Sequence, residues 1–136
     1  MSAQSRPRHP DLAAIKQQGI YVIGQASTRG QKSKEAEMIL KKTVPTDHVI
    51  LLDENGMELT SKKFAAYLEK KNISATASLI FIVGGPYGFD ETVYQRANDK
   101  ISLSRMTFSH QMVRLFFTEQ LYRAFTIIKG EPYHHE

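Results

Sequence analysis

The sequence of 136 residues contains no cysteine, which excludes disulfides and thiolate metal sites and removes any need for an oxidising compartment. No apolar run approaches the roughly 18 residues expected of a membrane span. The start offers no secretory signal, because Arg6, Pro7, Arg8, His9 and Pro10 lead into no apolar core. The cytoplasm is therefore the expected location. No internal repeat or low-complexity segment is evident. Two glycine motifs are missing as well. A dinucleotide G-x-G-x-x-G starting at Gly84 would need glycine at 86 and 89, where Pro86 and Phe89 stand. A P-loop would need Gly-Lys-Ser/Thr after the loop, and Asp90-Glu91 occupies that place.

What is present reads as one domain. A hydrophobic share of 41% and a charged share of 24% are those of a soluble globular chain long enough to build a core. The net charge of +4 is unevenly spread. Residues 1–45 hold eight Lys/Arg against three acids, whereas the rest is balanced or slightly acidic. A basic surface suits a polyanionic partner, but so modest an excess, taken by itself, reads first as a solvated face.

Residues 1–19, polar and carrying two prolines, read as a flexible arm with a short helix at Asp11–Gln18. The remainder, 20–136, forms the domain. Ile20–Ile23 is a strand ended by Gly24, Gln25–Lys34 an exposed loop, and Lys34–Lys42 a helix. Ala36, Met38, Ile39 and Leu40 give that helix its apolar stripe, and Pro45 stops it. His48–Leu52 is the second strand, closed by the turn Asp53-Glu54-Asn55-Gly56. Ser61–Lys71 is a helix with Phe64, Leu68 and either Ala65 or Tyr67 facing inward. Leu79–Val83 is the third strand, Asp90–Lys100 a helix and Ile101–Phe108 extended or looped. Ser109 caps a last helix, His110–Ile128. Strands alternating with helices predict a parallel, doubly wound α/β sheet, with its ligand site at the carboxyl ends of the strands.

The strand Leu79–Val83 breaks at Gly84-Gly85-Pro86-Tyr87-Gly88, and Asp90 offers an N-cap beyond it. That order aims backbone N–H groups at a ligand, although a tight turn needing positive φ accounts for the glycines equally well. The blocks GGPYG, ISLSRMTFSHQMVR, EQLYRAFTI and GEPYHHE, in this order, resemble the RlmH family. These are SPOUT-class methyltransferases that methylate N3 of a pseudouridine in 23S ribosomal RNA with S-adenosylmethionine. The likeness is dense from about Val49 to Glu136 and fades ahead of about Lys34.

The resemblance implies a C-terminal trefoil knot, which generic chain-topology rules disfavour. It implies that S-adenosylmethionine is held at Leu52, Gly84, Leu103, Ser104, Arg105, Met106, Thr107 and Phe108, with no metal. Without it, Leu52 and Leu103 read as ordinary core. It also implies that the tail Tyr133-His134-His135-Glu136 folds over the cofactor and faces the acceptor base. There His134 would accept a proton or bond a pyrimidine carbonyl, and Tyr133 would stack on a base. His110 is a second catalytic candidate, or simply a capping histidine. The last helix carries Val113, Phe116, Phe117, Leu121, Phe125 and Ile128 in one stripe, widened by Met112, Leu115 and Tyr122. Such breadth means deep burial or a partner subunit. Family members are dimers packed through this region, so a homodimer is expected, with Phe117 and Leu121 as anchors.

The start departs from the family, whose members usually open with a strand of the type I-x-L-x-x-V-G-K and a helix. Met1–Gly19 has neither, which leaves open a sheet without that strand and helix and with an exposed edge. Three readings follow: an enzyme acting on 23S rRNA in the large subunit or ribosome, a SPOUT relative with another RNA target, and a truncated, non-catalytic cofactor- or RNA-binding protein.

Overall fold

A computed structural model describes residues 19–24, 32–74, 78–84, 88–104, 106 and 108–131. The arm with its Asp11–Gln18 helix, and most of the expected Gln25–Lys34 loop, lie outside these residues. Four strands form one sheet in the order β1-β3-β2-β4: β1 (Ile20–Gly24), β2 (His48–Glu58), β3 (Leu79–Val83) and β4 (Asp99–Ser102). All pairings are parallel, as the alternation of elements predicts. The helices are α1 (Lys32–Lys41), α2 (Ser61–Ser74), α3 (Glu91–Arg96) and α4 (His110–Lys129). Among the described residues no helix is long and apolar enough to cross a membrane.

The strands are apolar on both faces because both are covered. Their pleat sends alternate residues to opposite sides. Val22, Ile50, Leu52, Phe81 and Val83 pack with Phe64 and Leu68 of α2 and Phe117, Leu121 and Phe125 of α4. Tyr21, Ile23, Val49, Leu51, Ile80 and Ile82 pack with Ala36 and Ile39 of α1 and Val93 of α3. On α2, Ala65 is the fully buried one of the two alternatives, and Tyr67 is partly buried against the same cluster. Phe81 and Phe117 meet at 4.7 Å between ring centroids, with Phe64 edge-on to both.

The helix ends obey local chemistry. The Asp90 carboxylate accepts from the Thr92 N–H at the start of α3, and the Ser109 hydroxyl accepts from the Met112 N–H at the start of α4. Gly130, at φ 74°, closes α4 in the left-handed conformation.

Four expectations are corrected. Met38 is exposed, so the stripe of α1 is Ala36 and Ile39 with Leu40 at its margin. Asp53–Gly56 does not end β2. Leu52 and Met57 both pair with Ile101, so residues 53–56 bulge out and the strand resumes to Glu58. The turn chemistry is real, since the Asp53 carboxylate accepts the Asn55 N–H at 2.8 Å, but sheet pairing recaptures the chain. The helix after Asp90 stops at Arg96. Ala97 is extended, and Asp99–Ser102 joins the sheet instead. Finally, Phe117 and Leu121 are 0% and 1% exposed within the single chain, so they are core residues rather than subunit anchors.

At the amino ends of the strands a polar clasp joins three elements. Asp99 Oδ2 accepts the Tyr67 hydroxyl at 2.6 Å and lies 2.9 Å from His48 Nε2. Burial works to raise the Asp99 carboxyl. The bonds from Tyr67 and His48, with the charges of His48 and Lys71, outweigh it and hold it below the ordinary aspartate value. The Tyr67 hydroxyl is pushed upward by burial and by the same aspartate.

Two predictions follow from this packing. A Cβ at Gly56 would stand 2.7 Å from the backbone of Lys100 and Ile101. Gly56→Ala should therefore cost about 1–3 kcal/mol in urea denaturation, and a loss below about 0.5 kcal/mol would mean that β4 yields freely. The second concerns acid. Because the folded carboxyl of Asp99 titrates lower than its unfolded value near 3.8, its contribution is complete above that value. It is lost as pH falls through the lower, folded one. Asp99→Asn should be less stable than wild type at neutral pH, and the gap should narrow on acidification. A gap independent of pH would show that the clasp does not titrate with folding.

Candidate functional site

The register of the sheet decides where the loops after the strands emerge. Leu52 is level with Val83 on one side and with Ile101 on the other. The bulge of β2 and the segments that follow β3 and β4 therefore start at one height and surround one cleft. Its walls come from Leu52, Gly84, Leu103, Ser104, Met106 and Phe108, joined by Asp53, Glu54, Asn55, Gly88, Phe89, Tyr94, Val113 and Phe116. Six of the eight residues expected to hold a cofactor thus meet in one place. Arg105 and Thr107 lie outside the described residues. So do the tail residues Tyr133, His134, His135 and Glu136, and the side chain of His110.

Each wall has a structural reason. Leu52 belongs at once to the core and to the cleft floor, so neither reading of that leucine excludes the other. Leu103 has left the core and sits at the rim. The Ser104 hydroxyl accepts the Met106 N–H at 2.9 Å, and its carbonyl accepts the Ser102 hydroxyl at 3.0 Å. These bonds curl the segment and turn Met106 outward, 72% exposed at the mouth. Phe108 and Phe116 meet edge-to-face at 5.1 Å and close the α4 side.

Gly84 is tied to packing within the chain. A Cβ there would approach the Phe89 ring to 2.7 Å, and Phe89 is buried. The close approach that the glycine permits is therefore first to Phe89, whose ring forms part of the wall. Phe89 stands edge-on to Tyr94 at 5.6 Å, and the Tyr94 hydroxyl donates to Asp53 Oδ2 at 2.7 Å. Burial, followed by the bond to Asp53 and its charge, pushes the Tyr94 hydroxyl up to about 12, so it remains a donor at neutral pH. A run of contacts thus crosses from the loop after β3 to the bulge of β2.

Sequence reasoning did not find Asp53, Phe89, Tyr94, Val113 or Phe116 as lining residues. Asp53 was within reach, being the chain neighbour of Leu52. Tyr94 was not, since it sits 41 residues from its partner and on a helix with nothing to mark its outward face.

The chemistry of the cleft is apolar with an acidic edge. Leu52, Leu103, Met106, Phe108, Val113 and Phe116 offer surface for a flat, weakly polar group. Asp53 and Glu54 are the charged residues among the described lining, which contains no Lys, Arg or His. Such a set suits an adenosyl group bearing a positive charge and is poorly suited to a polyphosphate. The residues present fit S-adenosylmethionine by that criterion.

The comparison with known proteins agrees with the geometry. A family described as "Predicted SPOUT methyltransferase" matches residues 8–134. The "Ribosomal RNA large subunit methyltransferase H" of Christiangramia forsetii is 64% identical over 105 residues, 77% of this chain and 67% of that protein. Its namesake in Parabacteroides distasonis is 61% identical over 106 residues, covering 78% and 68%. That of Porphyromonas gingivalis is 54% identical over 110 residues, covering 81% and 70%. Since the family match takes in the three loops that build the cleft, the likeness rests on the site as well as on the sheet, and the chain belongs to the SPOUT methyltransferases, in the group of the large-subunit ribosomal RNA methyltransferases H.

Proposed function

We propose that the chain methylates N3 of a pseudouridine in 23S ribosomal RNA, in the large subunit or the assembled ribosome, with S-adenosylmethionine as donor. The observation that carries this reading is the convergence of Leu52, Gly84, Leu103, Ser104, Met106 and Phe108 on one apolar cleft with a carboxylate at its edge. The name borne by the relatives supports the substrate class. The reading includes the family's trefoil knot in the C-terminal part and a site in the cytoplasm.

Leu52, Leu103 and Phe108 would hold the adenosyl group by apolar contact, and the backbone around Gly84 and Ser104 would bond its polar edges. When bound, S-adenosylmethionine supplies an electrophilic methyl group. The protein's remaining tasks are to orient the acceptor, exclude water and take up the proton that leaves N3. Orientation is the larger of these, worth up to roughly 7–11 kcal/mol in well-aligned systems. We assign acceptor placement to Tyr133 and proton uptake to His134, with His110 as the second candidate for that proton.

The assembly would be a homodimer. With Phe117 and Leu121 committed to the core, the surface for a second copy is the remaining apolar face of α4. Leu115 and Tyr122 are 60% and 57% exposed there, and Met112 and Phe116 lie alongside. Exposed apolar area so continuous is unusual on a monomer. Replacing Leu115 and Tyr122 together by Lys should yield a folded monomer by light scattering with unchanged circular dichroism. A dimer that survives the double change would place the interface elsewhere.

The assay that tests the function is single-turnover methylation of ribosomes from a strain lacking the modification. Wild type should incorporate methyl at one position. Deleting residues 133–136 should leave the sheet intact, lower cofactor affinity only slightly and reduce turnover far more. His134→Ala alone should cost about 10²–10⁴-fold, and the wild-type rate should rise with pH as the histidine loses its proton. If the deletion methylates at the wild-type rate, the tail takes no part in the reaction. If wild type incorporates no methyl into ribosomes or free 23S rRNA, the substrate assignment is wrong.

A further inference from the structure

We propose that Asp53 is a specificity-determining residue of the cleft, a fixed carboxylate that favours the sulfonium donor over its neutral thioether product, and that Tyr94 is the positioning residue that aims it. The inference rests on the methyltransferase reading above and deepens it.

The geometry of Asp53 is the starting point. One carboxylate oxygen accepts the Tyr94 hydroxyl at 2.7 Å and the other accepts the Asn55 N–H at 2.8 Å. A carboxylate has about four acceptor positions, so both oxygens are oriented and neither is used up. Tyr94 is itself held on several sides. Its ring stands edge-on to the buried Phe89 at 5.6 Å, and the Lys100 ammonium lies 5.6 Å from the ring centroid. A Cβ at Gly88 would come within 3.4 Å of its hydroxyl. Asp53 occupies the bulge that interrupts the pairing of β2 with β4, and the hydrogen bond from Tyr94 ties that bulge to α3.

The surroundings determine what a fixed carboxylate can select. Around it the cleft is mostly apolar, and the described lining supplies no cation to neutralise it. A carboxylate beside low-dielectric walls acts on a ligand's charge more strongly than one in open water. Donor and product share the adenosine and the amino acid end. They differ by one methyl group and one positive charge, because the C–S bond electrons stay with sulfur when the methyl leaves. A negative group fixed near that sulfur therefore discriminates between them, holding the charged form and easing departure of the neutral one. Hydrogen bonds to the shared ribose or ammonium would instead affect both ligands alike.

The test is calorimetry of the full chain with S-adenosylmethionine and with S-adenosylhomocysteine. Asp53→Asn keeps the shape of the side chain and removes its charge. It should weaken the donor about five- to tenfold while changing the product less than about twofold. Tyr94→Phe should shift the donor-to-product ratio in the same direction by a smaller factor, because the freed carboxylate can swing away. Equal weakening of both ligands by Asp53→Asn, or an unchanged ratio, overturns the charge selection, and an unchanged ratio in Tyr94→Phe overturns the positioning role. Wild type alone gives a second measurement should a variant fold poorly. Its donor-to-product ratio should fall as salt rises from about 0.05 to 0.5 M, and a salt-independent ratio overturns the proposal. If wild type binds neither ligand, the methyltransferase reading fails and the proposal falls with it.

Discussion

The register of β2 between β3 and β4 is the constraint on which the rest depends. A parallel strand buried on both faces cannot slip by one residue without exchanging its two cores. Here each core is filled by different partners, large aromatics of α2 and α4 on one side and small or β-branched residues of α1 and α3 on the other. Phe81 faces Phe117 and Phe64, whereas its neighbours Ile80 and Ile82 face Ala36, Ile39 and Val93. The two environments are not interchangeable, so the register is fixed. Because Leu52 is then level with Val83 and Ile101, the bulge of β2 and the segments after β3 and β4 are delivered to one cleft.

The two ends of that sheet are built for different work. At the amino end, polar groups are satisfied among themselves: Tyr67 and His48 on Asp99, and Arg96 on the carbonyls of Val44 and Asp47. These contacts join α2, α3 and the strand starts. At the carboxyl end the balance reverses. Apolar side chains stay uncovered at Leu103, Met106 and Phe108, and the acid Asp53 is oriented by Tyr94 in a described lining that holds no Lys, Arg or His. Uncovered apolar surface beside an aimed charge is costly for a monomer to maintain unless something binds there.

How much of this was legible follows from the range of the forces involved. The strands β1 and β3 and the caps Asp90 and Ser109 depend on local runs and side-chain-to-backbone bonds, and the sequence reading placed them correctly. Asp53-Glu54-Asn55-Gly56 is locally a turn and makes the expected bond, yet β4 retrieves the strand after four residues. That outcome depends on a partner more than forty residues away. The helix after Asp90 was read too long for the same reason, since Asp99 and Lys100 leave a helical pattern to pair with Ile50 and Leu51. Apolar breadth on α4 did not say which of its apolar residues the chain buries by itself, and so Phe117 and Leu121 were read as subunit anchors although they belong to the core. Family resemblance named six residues, Leu52, Gly84, Leu103, Ser104, Met106 and Phe108, that the fold brings to one cleft. Asp53 and Tyr94, joined only by the fold, were not among those named.

The contacts of Gly84 and Gly56 suggest why the cleft has its shape before any ligand arrives. Space for a side chain at Gly84 is taken by Phe89, and at Gly56 by the backbone of β4. From Gly84 the contacts run through Phe89 to Tyr94 and on to Asp53, so the wall that would meet the donor is continuous with the core behind it. A wall of this kind is ordered when the chain folds, and binding need not supply that ordering a second time. The opposite rim differs, with Met106 projecting and Phe108 half-covered. On the proposed reading, the donor would meet a wall already ordered at Gly84, Phe89 and Asp53, and Leu103 and Phe108 would add apolar contact from the more exposed rim.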